Sequence, residues 1–197
     1  MKKAAVLIVS CWSGFMVMSL ELLSGRILAP TFGNSIYVWG AVITVFMLAL
    51  SIGYLIGGRM SLRTPSIAVL CMLHLASGFF LLPIYLFEIP VLDAIFAHIQ
   101  DPRAGSLTAS VILFFIPAAI CGTVTPYAVK LLVDDAGAAG FYAGLQYFFS
   151  TFFSAAGTLL TSFYFVLIFE VNQILLLFFG ITVVVATGVF LMARKAA

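Results

Sequence analysis

The chain has 197 residues, of which 64% are hydrophobic and only 8% are charged, and its mean hydropathy is +1.24. An ordinary soluble domain is about 45–50% apolar and about 25% charged, so this composition excludes a soluble globular protein and predicts an integral membrane protein. The net charge of +2 is too small to indicate a nucleic-acid partner. Because a spanning helix needs about 20 apolar residues, the length predicts one all-α domain of six membrane spans over residues 1–197.

Turn residues and helix breakers divide the chain into these six spans. Lys2 and Lys3 precede an apolar run that continues past Leu20 without a cleavage pattern, so we interpret it as an uncleaved first span. Pro30 and the sequence TFGNS are expected to close that span, and Gly57-Gly58 to end the second. The predicted spans cover about residues 4–28, 36–58, 67–87, 107–132, 138–169 and 172–193.

The basic residues lie mostly on one side of this six-span arrangement. They occur at both termini and in the loops that follow spans 2 and 4. The positive-inside bias therefore predicts that both termini are cytoplasmic, in a plasma membrane such as the bacterial inner membrane. The residues on that side are Lys2, Lys3, Arg59, Arg63, Lys130, Arg194 and Lys195, whereas Arg26 and Arg103 lie on the other.

The connection between spans 3 and 4 is the long segment of the external side. Within it, Leu92, Ile95, Phe96 and Ile99 recur at helical spacing. This pattern predicts an amphipathic helix over about residues 90–101 that lies in the outer interface. The simpler interpretation is a connector that covers the end of the bundle, and the alternative is a gate or a docking element.

Small residues at helical spacing in spans 2 and 5 indicate closely packed helices. Gly53 and Gly57 are four residues apart, and Ser154 and Gly157 belong to small-residue stripes of span 5. Such patterns let helix backbones approach each other closely in a membrane. Packing alone explains them, and the functional alternative is that spans 2 and 5 slide or rock on these smooth faces.

Two prolines, Pro117 and Pro126, are expected to kink span 4, since each removes a backbone donor. Thr123 and Thr125 are close enough in sequence to satisfy the freed carbonyl groups. Kinks are common in membrane helices for structural reasons. Broken helices also expose polar backbone to the substrate in transporters.

Span 1 carries two charged residues. Glu21 follows Ala4 at a distance of about 25 Å along the helix, in the outer half of the bilayer. Arg26 lies closer to the outer interface, where it either snorkels to water or belongs to a site. Their offset of five residues is about 140° around a helix, so they are poorly placed to pair with each other. Glu21 has the shorter side chain and needs a partner, a proton or water, which makes it the first candidate site residue.

Four further residues complete the candidate substrate-binding set. Tyr37 and Trp39 begin span 2 and are either interfacial anchors or aromatic faces for a cation. His74 in span 3 and Gln146 in span 5 are either hydrogen-bonded core residues or members of the site. Cys71 and His74 share a helical face, but no further ligand is near in sequence, so no metal site is expected.

The chain contains none of the sequence motifs of soluble catalytic or nucleotide-binding domains, so we expect neither enzyme activity nor a cofactor. Its cysteines lie in apolar stretches that are far apart, which is typical of small core residues rather than of a disulfide framework. They are Cys11, Cys71 and Cys121.

The sequence ELLSGRILAPTFGNSIYVW, followed by GYLIGGR, resembles the membrane region of spermidine-synthase-like membrane proteins. PAAICGTVTPYAVKL and FYAGLQYFFSTFFSAAGTLLTSF are similar to spans 4 and 5 of that family. In the family, a multi-span segment precedes a soluble aminopropyltransferase-like domain. No such domain follows Ala197 in this sequence, so the resemblance implies at most a membrane partner of the enzyme.

The corner from Gly53 to Arg63 also resembles the cytoplasmic loop of major facilitator transporters, whose six-span halves contain inverted three-span repeats. The leading hypothesis is therefore a half-size transporter or sensor of a small polar solute, with a polyamine or related cation favoured by the resemblance. A homodimer or a second six-span half would cover its open side. The alternative is a membrane anchor or regulator of a separately encoded synthase-like enzyme, docked through Arg59, Arg63 and Lys130.

Overall fold

The computed structural model describes residues 2–63, 65–133 and 135–195. Every regular element within these residues is helical. In chain order they are α1 (Lys2–Phe32), α2 (Ile36–Met60), α3 (Ile67–Phe79), α4 (Leu81–His98), α5 (Pro102–Leu132), a 3₁₀ turn (Ala136–Ala138), α6 (Ala139–Leu160), a π-helical turn (Thr161–Phe165), α7 (Val166–Ile168) and α8 (Val171–Lys195).

These elements form six segments that are long and apolar enough to cross a membrane, which confirms the predicted all-α membrane fold. The third segment combines α3 and α4 as Ile67–His98, and the fifth runs from the 3₁₀ turn through α7 as Ala136–Ile168. The first and fourth contain 31 residues each, or about 46 Å of helix. That length exceeds the roughly 30 Å of a bilayer's hydrocarbon core, so their ends reach the headgroup regions.

Span 1 extends beyond its predicted end. Pro30 lies inside α1, which continues to Phe32. The helix stops before Gly33, whose φ of 80° is a left-handed conformation that glycine adopts without a Cβ clash. Gly33, rather than Pro30, therefore terminates the helix.

The predicted external helix over residues 90–101 is wrong as a separate element. Residues up to His98 belong to α4, which contains Pro90 and continues directly from α3. Leu92 and Ile95 of the predicted apolar face are buried, and the ring of Phe96 lies 6.1 Å from that of Phe32. Proline is tolerated here because neighbouring elements stabilise the helix that its missing donor weakens.

Glycine positions decide which helices pair. A Cβ on Gly53 would collide with the carbonyl of Ala119, and one on Gly57 with that of Thr123, so α2 packs backbone to backbone on α5. Gly157 meets the carbonyl of Phe15 in the same way, so α6 packs on α1. The predicted small-residue faces are thus packing faces, and spans 2 and 5 use them against spans 4 and 1 rather than against each other.

Both ends of the described chain lie at one end of the bundle, because Lys2 and Arg194 line the same hollow. We call this the terminal end. Arg103 donates to the hydroxyl of Tyr37 over 3.1 Å and so joins α5 to α2 at the opposite end. The predicted loop residues Arg59, Arg63 and Lys130 are exposed at the terminal end.

Candidate functional site

A small cavity of about 120 Å³ lies where α1, α2, α5 and α6 meet. Gly14 lines it from α1, twelve residues after the start of that helix, or about 18 Å along its axis. This depth is close to the middle of the 31-residue span. Transporters commonly bind substrates near the bilayer midplane, where packed helices leave polar groups facing a cavity.

The cavity wall combines hydroxyl groups with apolar surface. The polar groups come from four helices, and the two tyrosines are partly exposed, with Tyr54 46% exposed and Tyr147 58% exposed. Hydroxyls both donate and accept hydrogen bonds, so this wall suits a small polar solute that carries donors, acceptors or both. The hydroxyl residues are Ser13, Tyr54, Thr125, Tyr147, Ser150, Thr151 and Ser154.

Glu21 lies on the helical face of α1 that lines this cavity. Gly14 and Met18 line the cavity. Glu21 and Gly25 follow Gly14 by seven and eleven residues, and each lies within about 40° of Gly14 around the helix. Glu21 is half-buried. Its carboxylate has no ion-pair or side-chain hydrogen-bond partner among the residues that the structure describes. The acid is therefore available on the same face as the hydroxyl cavity, two turns further toward the opposite end.

The two aromatic candidates of span 2 have different surroundings. The six-membered ring of Trp39 lies against Gly25, where a Cβ would come within 2.7 Å of it, one helical turn beyond Glu21. The Trp39 ring nitrogen donates to the side-chain oxygen of Asn34 over 2.7 Å. Tyr37 is instead covered by Arg103, whose guanidinium carbon lies 4.3 Å from the ring centroid. The structure thus places Trp39 against Gly25, one helical turn from Glu21, and pairs Tyr37 with a cation of this chain.

Arg26 has a structural partner on another helix. Its guanidinium donates to the carbonyl of Val166 over 3.2 Å. In a continuing α-helix that carbonyl would accept from the amide of Glu170, but this amide donates to the side chain of Gln173 instead. Arg26 therefore caps a carbonyl freed where α7 ends, and it does not pair with Glu21, as their offset around the helix predicts.

The last two candidates, His74 and Gln146, lie in the half of the bundle that is nearer the terminal end. Each follows the start of its helix by seven residues, about 10 Å along the axis, and both are fully buried. Neither ring nitrogen of His74 has a hydrogen-bond partner among the described residues, and neither does the side-chain amide of Gln146. The structure does not include them in the cavity wall, and each is a buried polar side chain without a partner among the described residues.

Replacing Gln146 with methionine, which has a similar shape, is expected to stabilise the protein. A buried polar group without a partner costs about 1–3 kcal/mol, so its removal should raise the free energy of unfolding by a similar amount. The thermal unfolding midpoint in detergent measures the change. Thr182→Val is the matched control, because the hydroxyl of the buried Thr182 accepts from Trp12 over 2.8 Å and donates to the carbonyl of Phe178 over 2.7 Å. That variant should lose about 1 kcal/mol, and a destabilised Gln146→Met would contradict the expectation.

Sequence reasoning missed most of the cavity wall. Ser13, Tyr54, Tyr147 and Thr151 were outside the predicted site, and Ser154 of the wall was predicted only as part of a small-residue packing face. Thr125 lines the cavity, but Pro117 and Pro126 do not. Both prolines lie inside α5, which continues through them as one helix. The signal that was available is the helical spacing of Tyr147, Thr151 and Ser154, at offsets of four and three residues.

Comparison with known proteins adds no relative. No family model matches the chain, and neither a curated protein nor a solved structure matches it significantly. The fold and the class are those that the helices themselves define, a multi-pass membrane protein of six apolar helices.

Proposed function

We propose that this protein is a half-size, major-facilitator-like membrane protein that moves or senses a small polar solute. The observation that carries the proposal is the half-buried carboxylate of Glu21, which shares a helical face with a hydroxyl-lined cavity near the middle of the span. A lone acid inside a membrane requires a counter-charge, a proton or water. A small cation supplies that counter-charge, and Trp39 adds an aromatic surface nearby. A polyamine or a related cation is the proposed solute, which agrees with the resemblance to spermidine-synthase-like membrane proteins.

The helix pairing supports an inverted 3+3 repeat. If span 1 corresponds to span 4 and span 2 to span 5, the pair of spans 1 and 5 corresponds to the pair of spans 4 and 2. Both pairs are packed through glycines. In each pair, contacts further along one helix are made with residues further along the other, so the two helices run in the same direction. A repeat of this kind describes one half of a major facilitator, with N- and C-termini in the cytoplasm of a plasma-membrane protein.

A second half or a second copy would complete the transport path. The cavity opens between α2 and α6, and α6 is the least buried of the six spans. Large apolar side chains such as Phe148 and Phe152 remain exposed along it. A homodimer that joins these faces would place two cavities opposite each other, as the two halves of a facilitator do.

Solute flux tests the proposal. Purified protein in vesicles should move a radiolabelled polyamine down its gradient faster than empty vesicles do, and an uncharged solute of similar size should compete poorly. A sensor would instead bind the cation without flux, which equilibrium binding in detergent detects. The absence of both flux and binding would overturn the proposal.

An anchoring role is the second candidate, because a hollow of about 450 Å³ opens at the terminal end. Arg59 and Arg63 line it together with Tyr127. A cytoplasmic synthase-like enzyme with an acidic surface could dock there through charge complementarity. Capture of such an enzyme by the wild type, and loss of capture in Arg59→Glu/Arg63→Glu, would favour this role, whereas capture that survives the charge reversal would count against it.

A further inference from the structure

A second hollow at the terminal end has a volume of about 510 Å³. Lys2 from α1 and Arg194 from α8 stand at its rim, and both side chains are exposed. No aspartate or glutamate is among the described residues that line it. Its charge is therefore positive, which favours an anionic ligand.

The start of α3 adds hydrogen-bond donors to the same hollow. The first turn of a helix leaves its amide groups without partners inside the helix. Here the amide of Ser66 donates to the hydroxyl of Tyr127 over 3.1 Å, and the amide of Val69 donates to the side chain of Ser66 over 3.3 Å. The remaining two amides belong to Ile67 and Ala68, which both line the hollow. Two residues with free backbone donors and two cationic residues thus line the same hollow.

The hollow continues into an apolar groove between α3 and α8. Ala68 and Phe190 line both the hollow and the groove, so the two spaces meet at these residues. The groove has a volume of about 430 Å³ and extends along α3 to Leu75, about 10 Å further into the membrane. Its wall is almost entirely apolar, formed by residues such as Met72, Ala186 and Leu191.

We infer that this composite surface binds an anionic phospholipid of the leaflet at the terminal end. The phosphate and headgroup lie against Lys2, Arg194 and the first turn of α3, and an acyl chain lies in the groove between α3 and α8. A free phosphate would use the cationic hollow alone, whereas a lipid uses the hollow and the adjoining groove together. Basic pockets between membrane helices are known to bind acidic headgroups in this way. The inference does not depend on the proposed transport.

Native mass spectrometry of the full chain in detergent tests the site, with dioleoyl phosphatidylglycerol as the anionic probe and dioleoyl phosphatidylcholine as its zwitterionic counterpart. The wild type should retain the anionic lipid preferentially. Each basic residue near an anionic lipid contributes about fivefold in affinity, so Lys2→Gln/Arg194→Gln should weaken retention about thirtyfold. Arg59→Gln/Arg63→Gln removes the same charge at the same end, outside this hollow, and should retain the lipid as the wild type does.

Two further measurements separate a lipid from a free anion. Ala68→Phe fills the junction of hollow and groove, and should release the lipid while the two cations remain. Inorganic phosphate added in millimolar excess should fail to displace the lipid from the wild type. Three results would each overturn the inference. They are equal retention of the two lipids, an equal loss of retention in Lys2→Gln/Arg194→Gln and in Arg59→Gln/Arg63→Gln, and displacement of the lipid by phosphate. The charge variants lie at exposed positions, and their unfolding midpoints confirm that they are folded.

Discussion

Glu21→Gln is expected to lower the flux of a polyamine in proteoliposomes by at least about tenfold. The substitution keeps the shape of the side chain and removes only its charge. An opposite charge at contact distance in a partly buried site contributes several kcal/mol, and each 1.4 kcal/mol corresponds to about a factor of ten. Any slow flux of an uncharged polar solute through the same vesicles should change little, because it does not depend on the charge of Glu21.

Glu88→Gln provides the matched control for this experiment. Glu88 is also a half-buried carboxylate within the spans, but it lies on α4 and outside the wall of the cavity. Its replacement should leave cation flux close to that of the wild type. Glu21→Asp keeps the charge on a shorter side chain, so it should retain part of the activity. A Glu21→Gln protein that is folded and transports the cation at the wild-type rate would remove Glu21 from the proposed site.

The six spans were predictable because each is an uninterrupted apolar run, and length in a bilayer is a strong constraint. The ends of the spans were harder to predict than the spans themselves. Pro30 was expected to close span 1, and a separate helix was predicted to begin at about residue 90, yet Pro30 and Pro90 both lie inside longer helices. A proline weakens a helix locally, but tertiary packing decides whether the helix continues. Buried Leu92 and Ile95 provide that packing for α4.

The cavity was hard to predict for a different reason. Glu21 stood out because a charge in an apolar run is conspicuous, whereas Tyr54 and Thr151 are ordinary residues of membrane helices. What makes them a wall is the pairing of α1 with α6 and of α2 with α5, and this information is non-local. Likewise, no local pattern indicated that Arg26 would cap the carbonyl of Val166, since the helix end that frees this carbonyl follows a π-helical turn.

Gly57→Ala is expected to lower the free energy of unfolding by about 1–3 kcal/mol, the usual effect of forcing an extra carbon into a packed interface. The new Cβ would meet the backbone of Thr123, with its α-carbon 2.7 Å away, and backbone cannot rotate aside as a side chain does. α2 and α5 must therefore separate. The shift should be visible as a lower thermal unfolding midpoint in detergent, and Gly53→Ala should add to it because the same interface is opened further.

Gly58→Ala is the control that isolates this contact, because it lies next to Gly57 in the same helix and a Cβ there meets nothing within 4 Å. Alanine favours a helix over glycine by about 1 kcal/mol, so this variant should be unchanged or slightly more stable. The two neighbouring substitutions thus have opposite expected signs, and helix propensity alone cannot produce that difference. Equal stabilisation by both would show that α2 and α5 are not in backbone contact at Gly57, and the pairing that shapes the cavity would then need to be redrawn.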